Sequence, residues 1–168
     1  MLPLALAAIV LVSGSPAGNS EISQSRGEQP ETGRRFIDSR LHQLDSLRQV
    51  QIRLDDVPFN VWVMDTPSKI AEGMMFLTDT DVKDDEGMIF VFPNAEERSF
   101  WMENTLIPLD IIYISPQRRV LNIVQGKPLD RASLMSRGSA QYVVELKAGT
   151  AKKHKIGNGS VLTLPSSF

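Results

Sequence analysis

The chain opens on an uninterrupted apolar run, Leu2 to Val12, that carries no charge. A bilayer crossing needs about 20 apolar residues, so this run is too short for a comfortable span. Its length suits the apolar region of a secretory signal, and Ser15-Pro16-Ala17 supplies small residues where a signal peptidase reads. A signal peptide is therefore expected over 1–17, although no Lys or Arg precedes the run. Residues 18–33 (GNSEISQSRGEQPETG) hold three Gly, one Pro and almost no apolar side chain. Such a segment cannot offset its ordering entropy by burial and reads as a disordered linker. Over 34–50, Ile37, Leu41, Leu44 and Leu47 recur at helical spacing among polar residues, which predicts an amphipathic helix. Beyond Val50 the period shortens, and 51–168 reads as a single β-rich domain.

Within that domain Phe59 to Met64, Gly87 to Phe92, Ser99 to Met102, Leu109 to Ser115, Val120 to Val124, Gln141 to Leu146 and Ser160 to Leu164 read as strands. Pro93-Asn94 is expected to end the second of these. Thr66-Pro67 is a helix start, with Thr66 as N-cap and Pro67 at the first helical position, and the helix is expected to reach Phe76. A second short helix is expected over Ala148 to Lys155. No series of helical crossovers separates the strands, which argues against a parallel α/β architecture. The expected fold is mostly β with one or two short helices, arranged as a jelly-roll-like β-sandwich or a partly closed barrel.

Composition sharpens this picture mainly by exclusion. The chain has no cysteine, so disulfides, thiolate zinc sites, iron–sulfur clusters, a cysteine nucleophile and a lipoprotein anchor are ruled out. With 18 Lys+Arg against 20 Asp+Glu it is near neutral, unlike a general nucleic-acid binder. Charge is nevertheless uneven: residues 79–103 are mostly acidic and residues 118–155 mostly basic. The simplest expectation is that these stretches face and neutralise each other.

The blocks Gly73-Met74-Met75-Phe76 and Asp85-Glu86-Gly87-Met88-Ile89-Phe90-Val91-Phe92 carry a resemblance, as does Phe100-Trp101-Met102-Glu103-Asn104-Thr105-Leu106-Ile107-Pro108-Leu109-Asp110-Ile111. So do the closing blocks Tyr142-Val143-Val144-Glu145-Leu146, Ala148-Gly149 and Ile156-Gly157-Asn158-Gly159. In this order, over roughly Leu54 to Leu164, they resemble the bacterial and archaeal "domain of unknown function 192" family. The resemblance implies a small, mostly β, jelly-roll-like protein, often exported, and implies no activity. The family commonly has a base where this chain has Glu103, and tends to have Arg near Glu72 and at Leu77. Any anion site built on those bases in relatives is therefore expected to be lost or reshaped here.

The best candidate site is the segment Trp101 to Asp110, a loop braced by Asn104 and Pro108 between apolar strands. Asp110 lies between Leu109 and Ile111, so its carboxylate must be paired, hydrogen-bonded or shifted in pKa. A structural role, fixing the Asn104–Thr105 backbone, is weighed ahead of catalysis. The ligand-binding candidates are Trp101 as apolar contact and Glu103, Asn104, Thr105 and Asp110 as polar contacts. Trp62 and the methionines Met74, Met75, Met88 and Met102 read as core packing. Asp79-x-Asp81-x-Lys83-Asp84 imitates a calcium loop, but Lys83 and the missing Gly break it. His42 and His154 stand without partners, so no metal site and no cofactor motif is read.

The functional expectation is a non-enzymatic binding or accessory domain, outside the cytoplasm and without a membrane span once the signal is removed. Its ligand would be a small molecule or an envelope carbohydrate at the Trp101–Asp110 loop. The alternatives are a cell-envelope carbohydrate hydrolase using Asp110 and Glu103, and a protein that recruits a partner through helix 34–50.

Overall fold

The computed structural model describes residues 37–168. The expected signal peptide (1–17) and linker (18–33) lie outside these residues, as do residues 34–36 of the expected helix. Nine strands are described: β1 Gln49–Leu54, β2 Val57–Met64, β3 Glu86–Glu96, β4 Ser99–Phe100, β5 Leu109–Ile114, β6 Val120–Gly126, β7 Leu134–Met135, β8 Ala140–Lys147 and β9 Leu162–Thr163. Two short helices join them, α1 Pro67–Glu72 and α2 Thr150–Lys153.

Seven strands form one sheet in the order β6-β5-β8-β3-β2-β1-β9. All its pairs are antiparallel except β2 with β3, whose crossover carries α1. The sheet curls until its two edges meet at one end. There Arg119 bridges Val161, and Val120 N–H donates to Ser160 O (2.9 Å) while Leu162 N–H donates to Arg118 O (2.9 Å). The result is a partly closed barrel, as the sequence pattern predicts.

Both faces of this sheet are buried, and the period-two alternation sorts side chains between two cores. Along β5, Ile112 and Ile114 enter the barrel interior with Ile52, Phe59, Ile89 and Val144. Leu109, Ile111 and Tyr113 point to the outer face, with Met64, Met88, Phe90 and Val143. The outer core includes Met74, Leu77 and Met102, and the two-stranded ladder β4–β7 lies beyond it. Trp62 and the buried methionines Met74, Met88 and Met102 pack in this core. Among the described residues no helix is long and apolar enough to cross a membrane.

Strand β7 is not expected from the sequence, β4 and α2 are shorter than expected, and three further differences have a local cause. Residues 37–50 are not a continuous helix: a turn after Ile37 leads to a 3-10 helix, Leu44–Ser46, and then to β1. Leu41, assigned to the apolar stripe, is 81% exposed. The cause is Arg40, which is buried and bonded to backbone carbonyls of another segment, so the chain is drawn out as a strap. Second, α1 stops at Glu72, because Gly73 adopts φ 47° and turns the chain. Third, β3 continues past Pro93-Asn94 to Glu96. Its register against β8 shifts between Val91 and Glu96, and the exposed Pro93 sits in that irregularity, where no ladder N–H is needed.

Candidate functional site

Strand β8 lies between β3 and β5, so both its edges are paired, and its two faces meet the two cores. On it, Val144 and Leu146 fill the barrel, while Val143 and Glu145 share the outer face. Glu145 therefore places a carboxyl inside an apolar core, 4% exposed. It accepts a hydrogen bond from Met74 N–H, but its Oε2 has no hydrogen-bond partner. Burial pushes its pKa up to about 8; the Met74 bond and the positive charge of Arg40 pull the other way without winning.

The segment that meets Glu145 is built from α1 and the turn after it. Thr66 Oγ1 accepts from Lys69 N–H (3.4 Å) and Pro67 sets the first turn. Gly73 then closes the helix with its N–H on Lys69 O (3.0 Å). A Cβ at Gly73 would lie 3.3 Å from Phe90 Cζ, a tight contact, and 3.5 Å from Glu145 Oε2, an ordinary one, so it is the positive φ that calls for glycine here. From below, Arg40 Nη1 donates to Gly73 O (2.9 Å) and Met75 O (2.5 Å). Glu72 completes the clamp: its Oε1 accepts from Leu41 N–H (2.6 Å) and its Oε2 from His42 N–H (3.1 Å), with Arg40 Nη2 at 3.4 Å. Burial lowers the Arg40 pKa from its usual value, against the raising effect of Glu72 and Glu145. The guanidinium nevertheless stays charged.

Above this floor opens a cavity of about 310 Å³ whose lining includes Glu145 and Gly73. Its walls are aromatic: Phe90 and Phe92 from β3, Phe100 from β4, and Trp101. Phe100 meets Phe90 edge-to-face at 4.9 Å and Phe92 at 6.5 Å. At the rim, the Arg98 guanidinium lies 3.9 Å over the Phe92 ring and 2.5 Å from Glu96. Behind Phe100, Tyr113 donates to Leu134 O at 2.5 Å, and its pKa is raised by burial and then by the nearby Glu145.

The five residues expected to form one site are divided. Trp101, 51% exposed, and the buried Thr105 line this cavity. Glu103 points to Arg131 (2.7 Å). Asn104 is exposed at φ 54°, and its carbonyl accepts from Phe76 N–H. Asp110 is buried on the barrel side, where Oδ2 accepts from Ala151 N–H (2.9 Å) and Oδ1 from Gln125 Nε2 (3.2 Å). Both oxygens are thus bonded within the fold, at α2 and β6 rather than at the Asn104–Thr105 backbone expected from the sequence. Glu145, Arg40 and the Phe90–Phe92–Phe100 walls were not read as a site. The signal for Glu145 was present: in Tyr142-Val143-Val144-Glu145-Leu146 it is as embedded in apolar sequence as Asp110.

The acidic and basic stretches meet as expected. Lys147 reaches Asp79 (3.0 Å) and Asp84 (3.5 Å), while Asp81 accepts from Thr78 N–H (2.7 Å). Among the described residues no group of three His, Cys, Asp or Glu is placed to hold a metal ion. His42 bonds Ser68 Oγ and His154 packs edge-on against Phe59.

A family model, DUF192, described as "Uncharacterized ACR", matches residues 50–164. The chain is similar to a crystallised protein of unknown function from Novosphingobium aromaticivorans, at 32% identity and a TM-score of 0.66, covering 73% of this chain and 90% of that one. It is also similar to a protein from Sinorhizobium meliloti described as a proposed transcription regulator, at 29% identity and a TM-score of 0.65, covering 69% and 93%. No curated protein sequence matches it. The strap that carries Arg40 precedes the matched region.

Proposed function

The chain belongs to the DUF192 family, and since that family's description names no reaction, we propose a function from the cavity: a binding domain that takes a small organic molecule against Glu145. The observation that carries this reading is the Glu145 carboxyl, buried with one oxygen unpartnered, in the wall of an aromatic cavity. Burying a polar oxygen without a partner costs on the order of 2 kcal/mol. A concave, mostly apolar site with a few convergent polar groups and a pKa-shifted residue is where ligands bind. Its volume is near the lower end of the roughly 300–1,000 Å³ of such sites, so the ligand is small.

Neither alternative reading gains support. Glu103 and Asp110 are each committed to protein partners, and residues 37–50 present no continuous helix to a partner. The regulator description of the Sinorhizobium relative is not adopted, because a near-neutral chain, net charge -2, is unlike a general nucleic-acid binder. The Leu2–Val12 run supports placing this domain outside the cytoplasm.

The test is a thermal-shift screen of small aromatic and aliphatic compounds on the full chain. A ligand specific to the folded state raises Tm by mass action. Ala71 is exposed and lines the cavity, so Ala71→Trp fills it with little strain elsewhere. Shifts that vanish in Ala71→Trp support the reading. An absence of shifts at millimolar concentration, or shifts indifferent to Ala71→Trp, overturns it.

A further inference from the structure

We propose that the ligand of this cavity is an organic cation, an alkyl- or arylammonium, with Glu145 as its counter-ion and the Phe90, Phe92, Phe100 and Trp101 rings as its apolar seat. The inference rests on the binding reading above and specifies its chemistry.

The charges around the cavity decide between ligand classes. Three acids line it, Glu72, Glu97 and Glu145, against one base, Arg98. Arg98 is already engaged with Glu96 and with Asn94 O, and Glu72 is neutralised by the Arg40 clamp. What remains to meet a guest is the unpartnered Oε2 of Glu145 inside and the exposed Glu97 at the rim. An anion would face both acids and find no free base. A neutral guest can at most hydrogen-bond the protonated carboxyl and gains no charge pairing from it. A cation satisfies Oε2 and gains the negative faces of the rings. The wall already accepts such a group in one place, since the Arg98 guanidinium rests on Phe92.

Every charged or titratable group facing Glu145 is compatible with this role. From the strap, Arg40 lends it a favourable field; its Nη1 is spent on Gly73 O and Met75 O and its Nε on His42 O, while Nη2 has no hydrogen bond and stands 3.4 Å from Glu72 Oε2, and Arg40 does not line the cavity. From β5, Tyr113 stays neutral. From α1, Glu72 is bound to Arg40 and to the Leu41 and His42 amides. In the empty protein the acid is protonated at neutral pH, because burial raises its pKa to about 8. A permanently charged guest binds the ionised form, so its association releases one proton. Its affinity rises with pH, by about tenfold from pH 7 to pH 9, and levels off above that.

Three probes that share a phenyl ring and differ in the charge of the attached group separate the classes: benzyltrimethylammonium, benzyl alcohol and benzoate. Titration calorimetry of the full chain at pH 7 and pH 9, in buffers of unlike ionisation enthalpy, reads affinity and proton release together. The expected result is preference for benzyltrimethylammonium, a tenfold gain at pH 9, release of close to one proton at pH 7, and loss of the preference in Glu145→Gln. Gln keeps the shape of the neutral acid, and the wild-type pH profile stands as a test even if this variant folds poorly. Equal binding of the three probes, or cation binding without pH dependence or proton release, overturns the counter-ion role and leaves the binding reading intact. The same holds if none of these probes binds while other compounds in the thermal-shift screen do. If nothing binds in either experiment, both fall.

Discussion

Glu145 has a consequence for stability that needs no ligand. Its pKa is about 8 when folded and near the usual 4.5 when unfolded. Between these values the folded state holds one proton more than the unfolded state, so stability falls as pH rises. The slope is about 1.4 kcal/mol per pH unit within the window, and it flattens above pH 8 and below pH 4.5. Glu145→Gln removes the titration. Urea unfolding followed between pH 5 and pH 9 should show the variant near wild type at pH 5 and clearly more stable at pH 9. Parallel pH profiles would mean that the acid titrates normally in the folded protein. At this scale the candidate site was only half legible. Asp110 and Glu145 both sit in apolar runs, and local sequence marks each as a carboxylate in need of a partner. It does not say which one receives two hydrogen bonds and which keeps a free oxygen. That difference comes from what lies across the sheet: Ala151 and Gln125 for one, the Gly73 turn for the other.

At the scale of elements, Asp110 joins β5 to α2. Helix α2 has four residues and lacks a side-chain cap, since its N-cap is Gly149 in the left-handed region. So short a helix is not stable alone. The Asp110 carboxylate takes its Ala151 N–H and thereby anchors it beneath the barrel core, where Ala151 and Ile156 are buried. Asp110→Ala should cost about 2 kcal/mol by leaving that buried donor unpaired, whereas Asp110→Asn retains an oxygen for it and should cost about 1 kcal/mol or less. Denaturation midpoints together with hydrogen exchange at the Ala151 amide check this, and equal losses in both variants would remove the hydrogen bond as the cause. Of the elements that the sequence made legible, β2, β3, β5 and β8 carry the longest apolar runs, which allow few other readings. Strand β1 was hidden because Val50, Ile52 and Leu54 alternate directly after a stretch with helical spacing, and only its pairing with Trp62–Val57 decides the matter. The ladder β4–β7 is two residues long on each side and exists only because the two segments meet.

For the whole molecule, the strap joins a segment outside the family match to the part of the barrel wall that shapes the cavity. Arg40 reaches 33 residues along the chain to Gly73 and 35 to Met75, holding the turn that faces Glu145. A planar fork is needed there, because Nη1 serves the carbonyls of Gly73 and Met75 and Nε that of His42, while Nη2 stands 3.4 Å from Glu72. Removing one partner of a buried ion pair costs about 3–5 kcal/mol, since the other charge is left without compensation. Arg40→Ala should therefore lower stability by that order. Arg40→Lys should recover little, for it restores charge without the fork. Arg40→Ala combined with Glu72→Gln should recover part of the loss by removing the stranded carboxylate. The effect should also reach Glu145, whose pKa Arg40 helps to hold down. In Arg40→Ala the pH at which stability stops falling should move upward. A double-mutant cycle on Arg40 and Glu72 and the pH profile of Arg40→Ala measure these two effects separately. A cost below about 1 kcal/mol, the value of an exposed pair, with an unmoved pH profile, would show that the strap covers the barrel without setting the chemistry of its cavity.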